Sequence, residues 1–275
     1  MNILVINCGS SSLKFQVIDA VTEELLAKGL CERIGIDGSV ITYENKVTNS
    51  GKEVNETPMP DHNKAVSLVL EALTNPKTGV LKSLDEIGAV GHRVLHGGEK
   101  FTASCLIDDA CIAAIEENIP LGPLHNPPQA IAMRACREVF GEDVPMVAVF
   151  DTSFYSNFED YKYIYPIPYE LYEQHKIRRY GFHGTSHRYV SARVCEYLGL
   201  DPAKTKVITA HIGNGGSCTA VLNGESVDTS MGLTPLEGLM MGTRSGDMDL
   251  GAATYIMEKE NLSTAEFSNL MNKKS

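Results

Sequence analysis

A chain of 275 residues, of which 43% are hydrophobic and 21% charged, is long enough to form two domains with their own cores. Its 24 lysines and arginines against 35 aspartates and glutamates give a formal net charge of −11, and the basic residues are scattered along the sequence. This charge argues against nucleic acid and against an anionic membrane surface as partners. No apolar run approaches the ~20 residues needed to span a bilayer, so no membrane-spanning segment is predicted.

The cysteines and the first residues bear on the cellular compartment. Seven cysteines are spread over the chain without a Cys-x-x-Cys pair. The residues Met1-Asn2-Ile3-Leu4 begin a predicted strand, without a charged and apolar leader. We therefore expect the protein in a reducing cytoplasm.

Taken in chain order, the predicted elements alternate between strands and helices. Apolar and alternating runs predict strands at 3–7, 13–19, 25–31, 39–44, 87–90, 144–150, 207–210 and 219–222. Periodic apolar positions predict helices at 62–74, 108–117, 127–140 and 185–198. The stretch from Asn157 to Tyr172 breaks this pattern with two prolines. We therefore expect one domain over 1–155 and a second domain over 156–275.

Three local signals mark the ends of elements. Asp108 or Asp109 is expected to cap the helix at 108–117, and Asn223-Gly224 predicts a hairpin turn. Ser263-Thr264-Ala265-Glu266 is a capping box that starts a helix, and the sequence stops at Ser275, where that helix should end. We expect a truncated chain, the alternative being a short natural C-terminal helix.

Two glycine-rich turns are the most informative motifs. Asn7-Cys8-Gly9-Ser10-Ser11-Ser12-Leu13-Lys14 and His211-Ile212-Gly213-Asn214-Gly215-Gly216-Ser217 each join two predicted strands, so the same unit occurs twice. Successive amide groups in such a turn form a nest that attracts phosphate. Neither turn fits the P-loop or the dinucleotide fingerprint. Either turn alone is equally well explained as an ordinary hairpin, but the pair suggests two related domains that face each other across a cleft.

Polar residues cluster in five short islands among the predicted elements. The islands are Gly91–Gly98, Pro123–Pro127, Phe150–Phe154, Gly181–His187 and Gly242–Asp247. A single loop arginine or histidine is more often solvated or structural than catalytic. Five such islands, mostly at the ends of predicted strands, indicate a functional site.

Zinc hydrolysis and serine catalysis are the obvious alternatives for these islands. His92 and His96, like His183 and His187, are spaced four residues apart, as zinc ligands can be. Neither pair belongs to a His-Glu-x-x-His motif, and the neighbouring glycines argue against a helix that presents the first pair. No Gly-x-Ser-x-Gly elbow suggests a serine nucleophile. The sequence therefore argues against both chemistries.

The order of seven motifs identifies a family resemblance. The motifs are NCGSSSLKF, GHRVLHGGE, PLHNPP, FDTSF, RYGFHGTSH, HIGNGGS and MGTRSGD. In this order the chain resembles, over its whole length, the acetate/propionate/butyrate kinase family of the actin, sugar kinase and Hsp70 superfamily. The resemblance implies an α/β fold of two RNase H-like (actin-like ATPase) domains with mixed sheets, the second domain incomplete. It also implies a homodimer that transfers the γ-phosphoryl group of ATP to acetate, reversibly giving acetyl phosphate and ADP, with Mg²⁺ or alternatively Mn²⁺.

The resemblance implies a role for individual residues. Asn7 is similar to a magnesium-associated ligand, and Asp151 to an acidic residue that orients an arginine or the hydrated metal. Arg93 and Arg244 resemble paired arginines that hold the carboxylate and neutralise the moving phosphoryl group. His183, with His125 nearby, resembles a histidine that supports the transition state. The implied ATP- and phosphate-binding residues are Ser10, Ser12, Lys14, His211, Gly213, Asn214, Gly215 and Gly216.

This set of residues suits a carboxylate acceptor. Acetate is already ionised near neutral pH, so catalysis reduces to in-line positioning and cancellation of charge on the phosphoryl oxygens. A sugar kinase of the same superfamily must deprotonate a hydroxyl, which would make Asp151 the base. The excess of cations over carboxylates in the islands favours the carboxylate acceptor.

Four positions resemble the pocket for the acyl methyl group. They are Leu95, Leu124, Phe182 and Pro235. Valine is expected at position 95, and the extra methylene of Leu95 is predicted to narrow the pocket and disfavour longer acids. Because one methylene is worth about 1–3 kcal/mol in such a pocket, acetate over propionate is a modest preference.

Members of the resembled family continue beyond the position of Ser275. The part that they add carries a glycine-rich loop under the adenosine and a glutamate that helps to hold magnesium. We therefore expect this polypeptide by itself to bind ATP poorly and to turn over little. The alternatives to an acetate-phosphorylating enzyme are a non-catalytic or decayed phosphate-binding fragment and a propionate or butyrate kinase. Intact Asn7, Arg93, His183 and Arg244 favour a catalytic origin.

Overall fold

The structure is a computed structural model that describes residues 1–275. Contacts between residues divide the chain into two compact units, Met1–Phe150 and Asp151–Ser275. The unit boundary precedes the domain boundary that the sequence predicts at 155/156, so Asp151 belongs to the second unit. The division into two domains stays a prediction.

The first unit is built on an eight-stranded mixed sheet. Its strands are β1 (Asn2–Cys8), β2 (Ser12–Asp19), β3 (Leu25–Glu32), β4 (Val40–Asn45), β5 (Lys52–Glu56), β6 (Ile87–Val94), β7 (Cys105–Leu106) and β8 (Met146–Phe150). Their spatial order is β5-β4-β3-β2-β1-β6-β8-β7. Strands β1 to β5 form an antiparallel meander, β6 and β8 continue it parallel to β1, and β7 closes the edge antiparallel to β8. This arrangement is the RNase H-like sheet predicted for the chain.

Three helices cover the inner face of this sheet. They are α1 (His62–Leu73), α2 (Asp109–Glu117) and α3 (Asn126–Phe140). In β1 the inward side chains Leu4, Ile6 and Cys8 are buried, while the intervening Val5 and Asn7 face the other way and are half-buried. Alternation along the strands therefore separates a core face from a face that carries polar chemistry.

The second unit repeats the antiparallel half of that sheet. Its strands β9 (Lys206–Ile212), β10 (Gly216–Leu222) and β11 (Glu225–Thr229) lie in the order β11-β10-β9, as β3-β2-β1 do in the first unit. In both units the glycine-rich turn joins the first two strands. The parallel strands that extend the first sheet have no counterpart in the second unit. The predicted duplication of the strand–turn–strand unit is confirmed.

Five helices complete the second unit. They are α4 (Asp160–Tyr163), α5 (Tyr169–His175), α6 (Gly184–Leu198), α7 (Leu250–Lys259) and α8 (Thr264–Lys273). Helix α6 packs on β9. No helix of either unit has both the length and the apolar character needed to cross a membrane.

The helix caps and the hairpin turn predicted from the sequence are confirmed by their geometry. The Asp108 side chain accepts a hydrogen bond from the Cys111 amide and caps α2. Asn223 and Gly224 both have positive φ, as a two-residue hairpin requires. Ser263 and Glu266 exchange the two hydrogen bonds of a capping box at the start of α8.

Strand β6 is longer than the sequence predicts. The prediction ended it at residue 90, but it continues to Val94 and pairs with both β1 and β8. His92 and Arg93 therefore lie on a strand and not in the loop that we predicted. The glycine and the polar side chains interrupt the apolar run, yet alternation sends His92 to the core and Arg93 to the opposite face.

Two buried histidines should make the fold sensitive to acid. His92 is 2% exposed and its Nε2 has no hydrogen-bond partner, and burial lowers its pKa to about 4. The pKa of His187 is also lowered to about 4, mainly by burial and secondly by the nearby His211. The unfolded chain binds these protons near pH 6.5, so this stability is present above pH 6.5 and is lost as the pH falls towards 4.

We expect the urea midpoint to fall between pH 7.5 and pH 5, and to fall less in His92→Leu. The matched control is His175→Leu, at an exposed position, which should keep the wild-type pH dependence. An equal fall in wild type and His92→Leu would contradict the role of His92.

Candidate active site

A row of polar side chains crosses three strands of the first unit. Lys14 on β2 lies directly opposite Asn7 on β1. On the other side, Arg93 Nη1 on β6 donates to Asn7 Oδ1 over 3.1 Å. We call Lys14, Asn7 and Arg93 the cation row. With one cation on each side of the Asn7 amide, the row forms a surface suited to an anion.

The first glycine-rich turn joins β1 to β2 just beyond Asn7 and Lys14 of the cation row. Gly9 N–H donates to the Ser12 carbonyl oxygen over 2.8 Å and closes a tight turn. Ser10 is exposed within this turn, and Ser12 is the first residue of β2. The turn has the short, open backbone that the phosphate-binding prediction requires.

Two buried amides of α3 hold the segment that follows β6. Gln129 Oε1 accepts from the Leu95 amide at 3.0 Å, and Gln129 Nε2 donates to the Cys8 carbonyl at 3.2 Å. Asn126 exchanges two hydrogen bonds with the backbone of His96, at 3.3 and 3.0 Å. Sequence analysis missed both amides. The signal available there was two amide residues three positions apart, on one face of a helix.

The other predicted residues of this segment differ in exposure. Leu95 is buried, whereas Leu124 is 56% exposed. His125 is half-buried at the N-cap of α3, and its side chain does not cap the helix. Within the first unit, Leu95 alone therefore has the buried surroundings of an acyl-pocket residue.

Asp151 and His183 form the centre of the second unit's polar cluster. His183 is the N-cap of α6 and adopts a left-handed conformation, with φ of 59°. Asp151 Oδ2 accepts from its amide at 3.2 Å, and the Asp151 carbonyl accepts from the Gly184 amide at 3.1 Å. A left-handed non-glycine residue costs of order 1–3 kcal/mol, so these bonds hold His183 in a strained position. The 1%-exposed carboxylate thus has a structural partner, which argues for positioning and against the general base of a sugar kinase.

Ser217 joins two histidines beneath the second glycine-rich turn. Its Oγ lies 2.8 Å from His183 Nδ1 and 2.8 Å from His187 Nε2. The His183 ring also stacks on His211, with 4.0 Å between ring centroids. His211 Nδ1 in turn lies 2.9 Å from Ser186 Oγ. These nitrogens are engaged with hydroxyl groups, and no group of three or more His, Cys, Asp or Glu side chains could hold a metal.

Arg244 and the second glycine-rich turn adjoin His183. Gly213 N–H donates to the Gly215 carbonyl over 3.0 Å, which tightens the turn. A Cβ atom placed on Gly215 would lie 3.3 Å from Arg244 Nη1 and 3.4 Å from His183 Cε1. Arg244 Nη1 donates to the Pro235 carbonyl at 2.9 Å. Burial lowers the pKa of Arg244, but a guanidinium in a protein keeps its charge.

The remaining predicted residues also lie around this turn. Asn214 is exposed at its tip, and Gly216 begins β10. Phe182 is fully buried, and its carbonyl accepts from Tyr155 Oη at 2.8 Å. Pro235 is half-buried. The second unit thus brings a guanidinium and an imidazole together at its glycine-rich turn.

A half-buried polar network anchors the loop that carries Pro235 and Arg244. Tyr165 Oη donates to Glu237 Oε2 at 2.5 Å, and Arg179 Nη2 donates to Glu237 Oε1 at 3.1 Å. The Leu233 amide donates to Tyr165 Oη at 2.9 Å. Sequence reasoning missed this network, because it treated 157–172 as a boundary and had no signal that Tyr165 meets a residue so far along the chain.

These features define an enzyme class. Two strand–turn–strand units with glycine-rich turns, together with the mixed sheet of the first unit, are the architecture of a phosphotransferase with RNase H-like domains. The family model described as the Acetokinase family matches residues 2–275. The chain therefore belongs to the Acetokinase family.

Individual relatives agree with this assignment. The chain is 58% identical to the acetate kinase of Clostridium acetobutylicum and 58% identical to that of Agathobacter rectalis, over all 275 residues and 68% of each relative. Among solved structures, it is 50% identical to the acetate kinase of Porphyromonas gingivalis, with a TM-score of 0.94, covering 100% of this chain and 68% of that one. A propionate kinase from Francisella tularensis is 43% identical with a TM-score of 0.91, at the same coverage.

Proposed function

We propose that the protein transfers the γ-phosphoryl group of ATP to acetate, reversibly giving acetyl phosphate and ADP. The observation that carries this proposal is the meeting of Arg244 and His183 at the second glycine-rich turn. Such donors stabilise the charge on a phosphoryl group in the transition state of transfer, which simple phosphate binding does not require. The names of the relatives support acetate as the acceptor.

The reaction needs no general base. One oxygen of the acetate carboxylate forms the new bond to the γ-phosphorus while the bond to the β,γ-bridging oxygen breaks, and ADP leaves with that electron pair. We assign Arg93 to the carboxylate, and Arg244 and His183, with His125, to the charge on the phosphoryl oxygens. Asp151 acts by holding His183. The two glycine-rich turns and Lys14 bind the nucleotide phosphates.

Mg²⁺ fits this chain as an ion held mainly by phosphate and water. Mg²⁺ keeps several waters and takes few protein ligands, so a single side-chain oxygen beside the phosphates suits it. Asn7 Oδ1 is the oxygen donor that we assign to it, with Mn²⁺ as the alternative ion. When bound, such an ion would supply positive charge to the transferred phosphates.

The test is acetyl phosphate formation, trapped as the hydroxamate, by the purified protein with acetate, ATP and Mg²⁺. We expect little turnover from residues 1–275 alone. When the C-terminal part that the relatives carry is joined to them, we expect turnover that depends on acetate and is lost in Arg93→Ala. ATP binding without turnover would favour the alternative, a non-catalytic phosphate-binding protein. We also propose a homodimer, which light scattering tests, and a cytoplasmic location, which the free state of all seven cysteines supports.

Acyl-chain preference should depend on Leu95, which is buried beside the cation row's strand β6. In Leu95→Val, loss of one methylene should raise kcat/KM for propionate relative to acetate by about tenfold. The measurement is the ratio of kcat/KM for the two acids. The matched control is Leu124→Val at the exposed position, which should leave the ratio nearly unchanged. An unchanged ratio in Leu95→Val would show that residue 95 does not set chain length.

A further inference from the structure

A chain of hydrogen bonds runs from the sheet of the second unit to His183. Thr209 Oγ1 lies 3.4 Å from the Thr219 carbonyl oxygen and 2.7 Å from His187 Nδ1. His187 Nε2 lies 2.8 Å from Ser217 Oγ, which lies 2.8 Å from His183 Nδ1. Thr209, His187 and Ser217 are all buried. We call these three residues the relay.

Each hydroxyl in the relay carries one proton, so the relay has a direction. The Thr219 carbonyl can only accept, and a Thr209 hydroxyl directed at it satisfies that contact. Thr209 Oγ1 then accepts from His187 Nδ1–H. The opposite direction would place lone pairs of the Thr209 hydroxyl and of the Thr219 carbonyl oxygen 3.4 Å apart, so the carbonyl favours the first direction.

The direction at Thr209 decides the proton positions further along. Desolvation by burial holds the pKa of His187 near 4, so its ring is neutral and carries one N–H. With that proton on Nδ1, His187 Nε2 accepts from the Ser217 hydroxyl. Ser217 Oγ then accepts from His183 Nδ1–H.

We propose that Thr209, His187 and Ser217 are positioning residues that fix His183 as its Nδ1–H tautomer. His183 Nε2 is then the nitrogen presented to the second glycine-rich turn, where a Cβ on Gly215 would lie 3.6 Å from it. Protonation at Nε2 would let the ring donate to a phosphoryl oxygen there while Nδ1–H stays directed at Ser217. The catalytic consequence rests on the proposed function, whereas the tautomer does not.

The groups around His183 come from several elements. His187 lies on α6, the helix that His183 caps. His211 on β9 stacks on the His183 ring, and Arg244 approaches Gly215 from the loop between β11 and α7. Asp151 accepts from its backbone amide. Only Ser217 is in hydrogen-bond contact with Nδ1 among these groups, and it is the link that a substitution can break.

The direct test is ¹⁵N NMR of histidine-labelled protein, with the His183 signals assigned from His183→Gln. We expect Nδ1 of neutral His183 to give the signal of a protonated nitrogen. In Ser217→Ala this preference should be lost, and in Thr209→Val, where His187 is free to reverse, it should shift towards Nε2–H. Ser186→Ala is the matched control, because its hydroxyl pairs with His211 and not with His183. An Nε2–H tautomer in wild type, or an unchanged tautomer in folded Ser217→Ala, would overturn the proposal.

The kinetic test uses the same variants. Ser217→Ala should lower kcat by about 10- to 100-fold with KM for acetate little changed, as loss of an orienting partner does elsewhere. Ser217→Thr, which keeps the hydroxyl, should recover most of the loss. If the wild-type residues joined to the C-terminal part that the relatives carry show no acetate-dependent turnover, the proposed function fails, while the NMR result still decides the tautomer.

Discussion

Arg244→Ala is expected to lower kcat about 10³-fold, corresponding to ~4 kcal/mol of lost transition-state stabilisation. The guanidinium lies in a partly buried position next to the glycine-rich turn, where the reduced solvation strengthens its interaction with a phosphoryl oxygen. Its contacts in the protein are modest, chiefly the Pro235 carbonyl, so the free energy of unfolding should change little. Steady-state kinetics with acetate and ATP, together with urea denaturation, measure both quantities.

The control for this result is Arg134→Ala. Arg134 forms an exposed ion pair with Glu116, which contributes about 0–1 kcal/mol. It should leave kcat unchanged, and Arg244→Lys should recover only part of the activity, because an ammonium lacks the planar fork of a guanidinium. A kcat within tenfold of wild type in Arg244→Ala would remove this residue from the catalytic group.

Gly184→Ala is expected to destabilise the second unit by about 3 kcal/mol. Gly184 is the first residue of α6, and its own amide donates to the Asp151 carbonyl. An added Cβ would overlap that carbonyl oxygen and lie 2.9 Å from the Phe154 Cβ. The first obstacle is backbone and cannot rotate away, so the strand end and the helix start must separate. Urea and thermal denaturation give the change in unfolding free energy.

Gly91→Ala is the matched control for the glycine substitution. Gly91 lies within β6, and a Cβ there would meet no atom within 4 Å. Its stability should equal or slightly exceed that of wild type, because alanine loses less backbone entropy on folding. Similar destabilisation in both variants would contradict the steric explanation.

Elements with a local cause were predictable from the sequence. Strand β1 contains the apolar run Ile3-Leu4-Val5-Ile6, Asp108 caps α2 within three residues, and Asn223-Gly224 forms its turn by positive φ. Strand β5, with the sequence Lys-Glu-Val-Asn-Glu, was missed because it is a mostly exposed edge strand stabilised by pairing with β4. Its charges suit an edge and conceal it from any hydrophobic pattern.

The candidate site was predictable as a set of residues and not as a geometry. The glycine turns and the arginines stand out through their residue types. The contact of Arg93 with Asn7 spans 86 positions, and that of Tyr165 with Glu237 spans 72. No pattern within a short window encodes such pairs, because the register of the sheet and the path of the loops create them. The relay to His183 is of the same kind.

The cation row shares its register with the core. Lys14 faces Asn7 only because Leu13 and Phe15, its neighbours in sequence, are buried on the other face of β2. A slip of one residue would turn Lys14 inward and expose both apolar side chains, at a cost of several kcal/mol. The register that buries Leu13 and Phe15 is therefore the register that aligns the cation row. A chain with a misaligned row does not fold, so the folded molecules are those in which the row is aligned.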